Sequence, residues 1–203
     1  MILALLLPSL AASAAVSPEA LVRSLAQPAP ARTAFIEVRF MSMLDQPLIL
    51  RGELAWLGGT HLQRTVVSPY VERSEINRGQ ITVTRSGQAS RHFSLDRAPQ
   101  LRDLLISFTA LLAGQPAQLL HRFDARVWGN PVSWTLNLRP RDAKVARQIQ
   151  ALDIDGAGTA LRCMRVDDTD GDTSFTLVGP LGHARLPKPL TPAALVRLCA
   201  AVP

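Results

Sequence analysis

From Phe35 the chain alternates with a period of two: Ile36, Val38 and Phe40 fall on one side of an extended segment, Glu37 and Arg39 on the other. This is the pattern of a half-buried strand. The alternation runs again through 48–57 and resumes over 62–67 after Gly58-Gly59. Two residues of that type between alternating runs predict a hairpin. Shorter strands at 71–76, 81–85 and 91–95, separated by Arg78-Gly79 and Ser86-Gly87, continue an antiparallel meander.

The period then changes to that of a helix. Over 98–113, Leu101, Leu104, Leu105, Phe108, Leu111 and Leu112 recur at steps of three and four and share one face. Gly114 ends this helix, and a shorter helical segment is expected at 116–122. Another is expected at 18–25, where Pro18 sits in the first turn and Ser17 is placed to cap it. Strands resume at 123–128 and 132–138, a connector over 143–152 leads into a strand near 152–154, and a hairpin follows at 159–166 and 173–178. Thr191-Pro192 followed by Leu195, Val196 and Leu198 predicts a closing helix. These elements describe an α+β domain with helices on one face or end of a curved antiparallel sheet. A length of 203 residues fits one domain with a substantial core.

The first residues alter the picture of where this domain works. MILALLLPSLAASAA is an apolar run of signal-peptide length, and Ala12-Ser13-Ala14 fits a cleavage site, so 1–14 are expected to be removed and 17–203 to form the mature domain. No Lys or Arg precedes Arg23, which points to a true start further upstream. The run is too short to span a bilayer. No cysteine follows it, so an exported, unanchored monomer is expected. Export also bears on the two cysteines, Cys163 and Cys199, which an oxidising compartment lets pair as a disulfide.

The net charge of +6 is almost wholly arginine, Lys144 and Lys188 being the only lysines. The arginines are spread along the chain without a basic run, which argues against nucleic acid and leaves peripheral contact with anionic lipid at most. Candidate chemistry is sparse. His61, His92, His121 and His183 are scattered, and no metalloprotease, nucleophile-elbow or phosphate-loop motif occurs. Asp168, Asp170 and Asp172 alternate as calcium ligands do, but the position that needs a bidentate Glu is Gly179. A polar hairpin turn is the better reading. No cofactor, no metal and no catalysis are expected. Trp56, Trp128 and Trp134 are candidates for ligand stacking or for core.

Phe35-Ile-Glu-Val-Arg-Phe40, Gly52-Glu-Leu54, Pro69, Asn77-Arg-Gly79, the helix around 104–112, and Trp134-Thr-Leu-Asn-Leu-Arg-Pro140 follow one another along the chain. With these anchors, the order of parts resembles the LolA-like periplasmic carriers of outer-membrane lipoproteins. The resemblance implies an incomplete, half-open antiparallel β-barrel with helices lidding an apolar concave face. It also implies a periplasmic carrier that takes an acylated or otherwise hydrophobic cargo from an inner-membrane donor to an outer-membrane acceptor. On that basis the expected cavity wall is Phe40, Leu54, Trp56, Leu62, Val66, Trp134 and Leu136, and the expected lid is Leu104, Leu105, Phe108 and Leu111. One departure stands out. Lipoprotein carriers of this family hold an Arg-Pro latch just after the G-x-L strand, where this chain has Gly58-Gly59, with Arg64 the nearest substitute. The cargo is therefore left open between a lipoprotein, a lipid and a pigment precursor. The alternative is a non-catalytic accessory protein of the envelope whose barrel is filled by its own side chains.

Overall fold

The computed structural model describes residues 16–201, so the expected signal segment 1–14 lies outside the described residues. Along the chain come α1 (Pro18–Ser24), β1 (Ala31–Phe40), β2 (Leu48–Gly58), β3 (His61–Ser68), β4 (Glu72–Asn77), β5 (Gln80–Arg85) and β6 (Arg91–Ser94). Then follow α2 (Pro99–Leu112), α3 (Pro116–Arg122), β7 (Phe123–Asn130), β8 (Ser133–Pro140), α4 (Ala143–Ala146), β9 (Ile149–Ala157), β10 (Ala160–Asp168), β11 (Thr173–Val178) and α5 (Pro192–Ala200).

All strands join one 11-stranded sheet in the order β6-β5-β4-β3-β2-β1-β11-β10-β9-β8-β7. Two meanders of neighbouring hairpins are thus sewn together by the antiparallel pairing of β1 with β11, which sets Phe35 opposite Val178 and Val38 opposite Phe175. The edges β6 and β7 do not pair, so the sheet stays open. Its antiparallel α+β character agrees with the sequence reading.

Local chemistry explains the short helices. Ser17 accepts a hydrogen bond from the Ala20 amide at 3.2 Å, Asp142 accepts from Lys144 and Val145 at 2.8 and 3.0 Å, and Thr191 accepts from Ala194 at 3.2 Å. Each satisfies amides that a helix start leaves without partners. The two amide bonds also hold the Asp142 carboxyl below its ordinary pKa, with Lys144 and Arg147 adding to the effect. By contrast, α2 begins at Ala98, which has no side chain able to cap it.

Register decides the two faces. Phe35, Gly52, Val66 and Val178 stand opposite one another across β1, β2, β3 and β11, and so share one face. On the same face further along lie Met164, Ile154, Leu136 and Val127. Here α1, α2 and α3 place Leu21, Val22, Leu25, Leu111 and Leu119 against Phe123, Trp134, Leu136, Leu138 and Ile154. The opposite face carries Ile36, Val38, Cys163, Phe175 and Leu177, covered by Leu195 and Cys199 of α5. Cys163 and Cys199 form a disulfide, as expected. Arg162 donates to the carbonyls of Leu198 and Cys199, which meets the last turn of α5 with positive charge.

Gly52 shows why the Gly52-Glu-Leu54 anchor begins with glycine. The pairing of β2 with β3 shifts between Arg51 and Gly52, and a Cβ at Gly52 would lie 1.8 Å from the Thr65 carbonyl oxygen and 2.9 Å from the Phe35 ring. The nearer clash is with backbone that cannot swing away. Gly52→Ala is therefore expected to cost about 1 to 3 kcal/mol, the range for overpacking, read as a lower urea midpoint at unchanged slope.

Candidate functional site

The expected cavity residues do not all meet in one place. Leu54 and Val66 lie with Phe35 and Leu50 on the inner face of β1–β3. Trp134 and Leu136 lie on the same face but at the β7–β9 end, packed with helix residues Leu111 and, at its margin, Leu104. Trp56 and Leu62 face each other across β2 and β3, both buried. Leu105 and Phe108 are half-buried and belong to none of the three clusters.

Phe40 is a correction. It packs edge-on against Phe175 with ring centres 6.1 Å apart, in the cluster under α5 on the outer face. Strand β1 alternates as its sequence predicts, with Ile36, Val38 and Phe40 pointing away from the inner face. It is Phe35, Glu37 and Arg39 that point into it.

That reversal brings together a charged group on the apolar wall. Glu37 is only 8% exposed, and its two carboxylate oxygens take one arginine each: Oε1 accepts from Arg39 Nε, and Oε2 accepts from Arg64 Nη2 at 2.6 Å. The Arg64 guanidinium lies 5.0 Å over the Phe35 ring and opposite Leu54 in register. Stacking on an aromatic face suits the weakly hydrated guanidinium. Arg64 was the candidate latch to the lid. Among the described residues its ion-pair partner is Glu37 on β1, so it ties β3 to β1.

Where the resemblance places the latch, the backbone forms a tight turn. Gly58 and Gly59 have φ of 103° and 53°, which an arginine–proline pair adopts poorly, and Trp56 Nε1 donates to the Gly59 carbonyl at 3.0 Å to close the turn. The segment is built as a hairpin.

On the outer face a polar network crosses β8–β11. Asn137 donates to Asp153 at 2.5 Å, Arg165 bridges Asp153 and Asp167, and the Thr135 hydroxyl donates to Asp155 at 2.6 Å. Burial, and then Asp153 nearby, raise the Asp155 carboxyl above its ordinary pKa despite the Thr135 bond. The Asp168–Asp172 turn is a hairpin turn, in which Asp172 accepts from the Ser42 amide at 2.7 Å and Asp170 from the Asp172 amide at 3.2 Å. Burial and the neighbouring Asp170 and Asp172 raise the Asp168 carboxyl. Among the described residues no group of three His, Cys, Asp or Glu could hold a metal ion. His61 pairs with Glu75 at 2.8 Å, a carboxylate that Arg73 also approaches at 3.8 Å, and His92 pairs with Thr82 at 3.0 Å.

Among the described residues, grooves open at the surface include two of similar size. One, of about 240 Å³, runs past Leu104, His121, Phe123 and Val145. The other, of about 300 Å³, lies between Phe40, Leu44, Pro47 and Gly171. Neither includes Leu54, Trp56, Leu62 or Val66.

A profile of the family described as outer membrane lipoprotein carrier protein LolA-like matches residues 10–202. The chain belongs to this LolA-like family. No curated protein matches this LolA-like chain in sequence. Similar solved structures include a LolA superfamily protein from Nitrosomonas europaea, at 10% identity and a TM-score of 0.41, covering 88% of this chain and 99% of that one. LprF from Mycobacterium bovis aligns at 10% identity and a TM-score of 0.36, covering 86% and 97%. A chain of the MucA/MucB complex of Pseudomonas aeruginosa aligns at 13% identity and 0.37, covering 84% of the LolA-like chain and 58% of its own length. Among the described residues no helix is long and apolar enough to cross a membrane.

The Glu37, Arg39 and Arg64 group is what sequence reasoning missed. The signal available was the alternation itself, since two charged residues at alternate positions of an otherwise apolar strand can be a buried pair as well as a solvated edge.

Proposed function

We propose that this protein is a periplasmic carrier that holds acyl chains or another hydrophobic cargo against the inner face of its open sheet and delivers it towards the outer membrane. Membership of the LolA-like family supports the reading. The observation that carries it is the state of the inner face beyond the helix-packed end. There Leu48, Leu54, Ile76 and Val83 remain only half-buried and Phe93 is 41% exposed, all on the side that register assigns to Phe35 and Leu62. Apolar surface left open on a sheet face is surface that a cargo can take from water.

The energetics suit a shuttle. At about 0.8 kcal/mol per buried CH₂, a sixteen-carbon chain gains on the order of 12 kcal/mol, and two chains would pass the practical ceiling of roughly 20 kcal/mol. A carrier must release what it holds, so part of the gain is offset by moving a lid. Helix α2 is suited to that work, with an uncapped start and Leu105 and Phe108 outside the clusters.

Native mass spectrometry of protein purified from the cell envelope, together with uptake of a fluorescent fatty acid, tests the reading. Co-purifying lipid or saturable uptake is expected, and the absence of both would overturn it. Leu105→Glu is expected to weaken probe binding about tenfold while lowering stability by less than about 1 kcal/mol. Equal losses of both would make α2 ordinary core.

A second reading, an accessory envelope protein with a self-filled barrel, is favoured by the β7–β9 end, where Trp134, Leu136 and Leu138 are covered by the chain's own helices. That reading expects no bound lipid.

A further inference from the structure

We propose that Arg39 and Arg64 form a head-group site for an acidic amphiphile, an aliphatic chain ending in a carboxylate or a phosphate. The inference rests on the carrier reading and names the class of its cargo.

Two guanidiniums share the single carboxylate of Glu37, one on each oxygen, so the group carries one positive charge in excess. The other charged residues that register places on this face of β1–β6 do not reverse the excess, Glu72 standing opposite Arg85 and Arg91 being exposed at the edge; from the β10–β11 turn Asp168 also acts on Arg39, so Arg64 is the guanidinium whose charge is balanced by Glu37 alone among the described residues. On one side the surroundings are apolar, with the Phe35 ring under Arg64 and with Leu50 and Leu54 opposite Glu37 and Arg64 in register, and on the other the neighbours in register are the uncharged hydroxyl residues Thr176, Ser174 and Ser74. An unbalanced charge among such neighbours is costly, and an arriving anion relieves that cost.

The donors are available. A guanidinium has five N–H groups in a planar fork, and Arg39 and Arg64 use one nitrogen each on Glu37. Their side chains are 42% and 24% exposed, so neither is sealed from solvent. Forks of this kind hold carboxylate and phosphate through two parallel bonds. The tail of such a molecule would lie along Leu48 and Leu54, which stand opposite Arg39 and Arg64 in register and belong to the half-buried surface that the carrier reading already assigns to cargo. Glu37 then acts as a resident stand-in for the ligand's own anion. It keeps the arginines placed when the site is empty, and competes with the head group when it is not.

The test uses the full mature chain and three twelve-carbon probes, dodecanoic acid, dodecyl phosphate and dodecanol, each displacing a neutral environment-sensitive dye. At least one acidic probe is expected to bind about ten- to a hundredfold more tightly than the alcohol, the range for charge-assisted hydrogen bonds. Whichever acid binds more tightly identifies the head group. The double variant Arg39→Gln/Arg64→Gln is expected to lose that preference and keep its affinity for dodecanol. Glu37→Gln is expected to bind the acidic probes several-fold more tightly than the wild type even if its melting temperature falls, because the competing carboxylate is gone. Equal affinity for all three probes, or a Glu37→Gln variant that weakens all three alike, would overturn the head-group site and leave the carrier reading standing. Failure of every probe to displace the dye would overturn the carrier reading itself.

Discussion

Alanine at both Cys163 and Cys199 is expected to lower the unfolding free energy by about 3 to 4 kcal/mol, the chain-entropy value for a loop of this length. The two cysteines lie 36 positions apart and bridge β10 to α5. The loss reaches beyond the bond, because α5 covers Ile36, Val38, Phe175 and Leu177 with Leu195, which is fully buried. An α5 that is free to lift leaves that surface wet. Urea denaturation of the wild type with and without dithiothreitol gives the same comparison without mutation. A midpoint that does not move under reduction would show that packing alone holds the helix. Binding of a hydrophobic probe should be nearly unchanged in the folded variant, since the bridge lies on the face away from the proposed cargo surface.

Trp134→Ala is expected to cost about 3 to 5 kcal/mol, the range for emptying a large buried side chain. Trp134 is 2% exposed, lies over Gly156 so closely that a Cβ there would come 2.1 Å from its ring, and donates Nε1 to the Gly158 carbonyl at 2.8 Å. It thus fills the helix-covered end of the sheet and pins the β9–β10 turn together. Trp134→Phe, which keeps most of the apolar contact and loses the hydrogen bond, should cost about 1 to 2 kcal/mol. Thermal melts of the two variants measure the difference. If Trp134→Ala left stability intact and abolished probe binding, Trp134 would be a cavity wall and not core. That outcome would restore the role its place beside Leu136 suggested from sequence.

The two tryptophans of the expected wall illustrate how far sequence reaches. Trp56 and Trp134 both sit on the inner face, and both cap a glycine turn through the indole nitrogen. Alternation placed them on strands, but nothing local distinguishes a residue under a helix from one facing open space. The calcium-like Asp168–Asp172 segment was legible as a turn because its missing twelfth ligand is a sequence fact. Strand β9 was legible only in part, seen near 152–154 where it runs Ile149–Ala157. Asp153 and Asp155 hide it. Carboxylates read as loop until Arg165, Asn137 and Thr135 arrive from neighbouring strands to satisfy them.

What the sequence by itself determined is the set of elements and their order. Side-chain periods of two and of about 3.6, Gly-Gly and Asn-Arg-Gly turns, Ser17 and Thr191 at helix starts and a lone pair of cysteines are local or countable features, and short-range sterics and hydrogen bonds decide them. What only the tertiary structure decided is which side of each strand is inside. Alternation defines two faces and leaves them equivalent. They become different only when α1, α2 and α3 pack on one, α5 packs on the other, and β1 joins β11 across the length of the chain. That choice sends Phe40 outward and brings Arg64 to Glu37 from 27 positions away, making a charged group on the inner wall out of the Glu37–Arg39 pair of β1 and a residue that no local pattern connects to it.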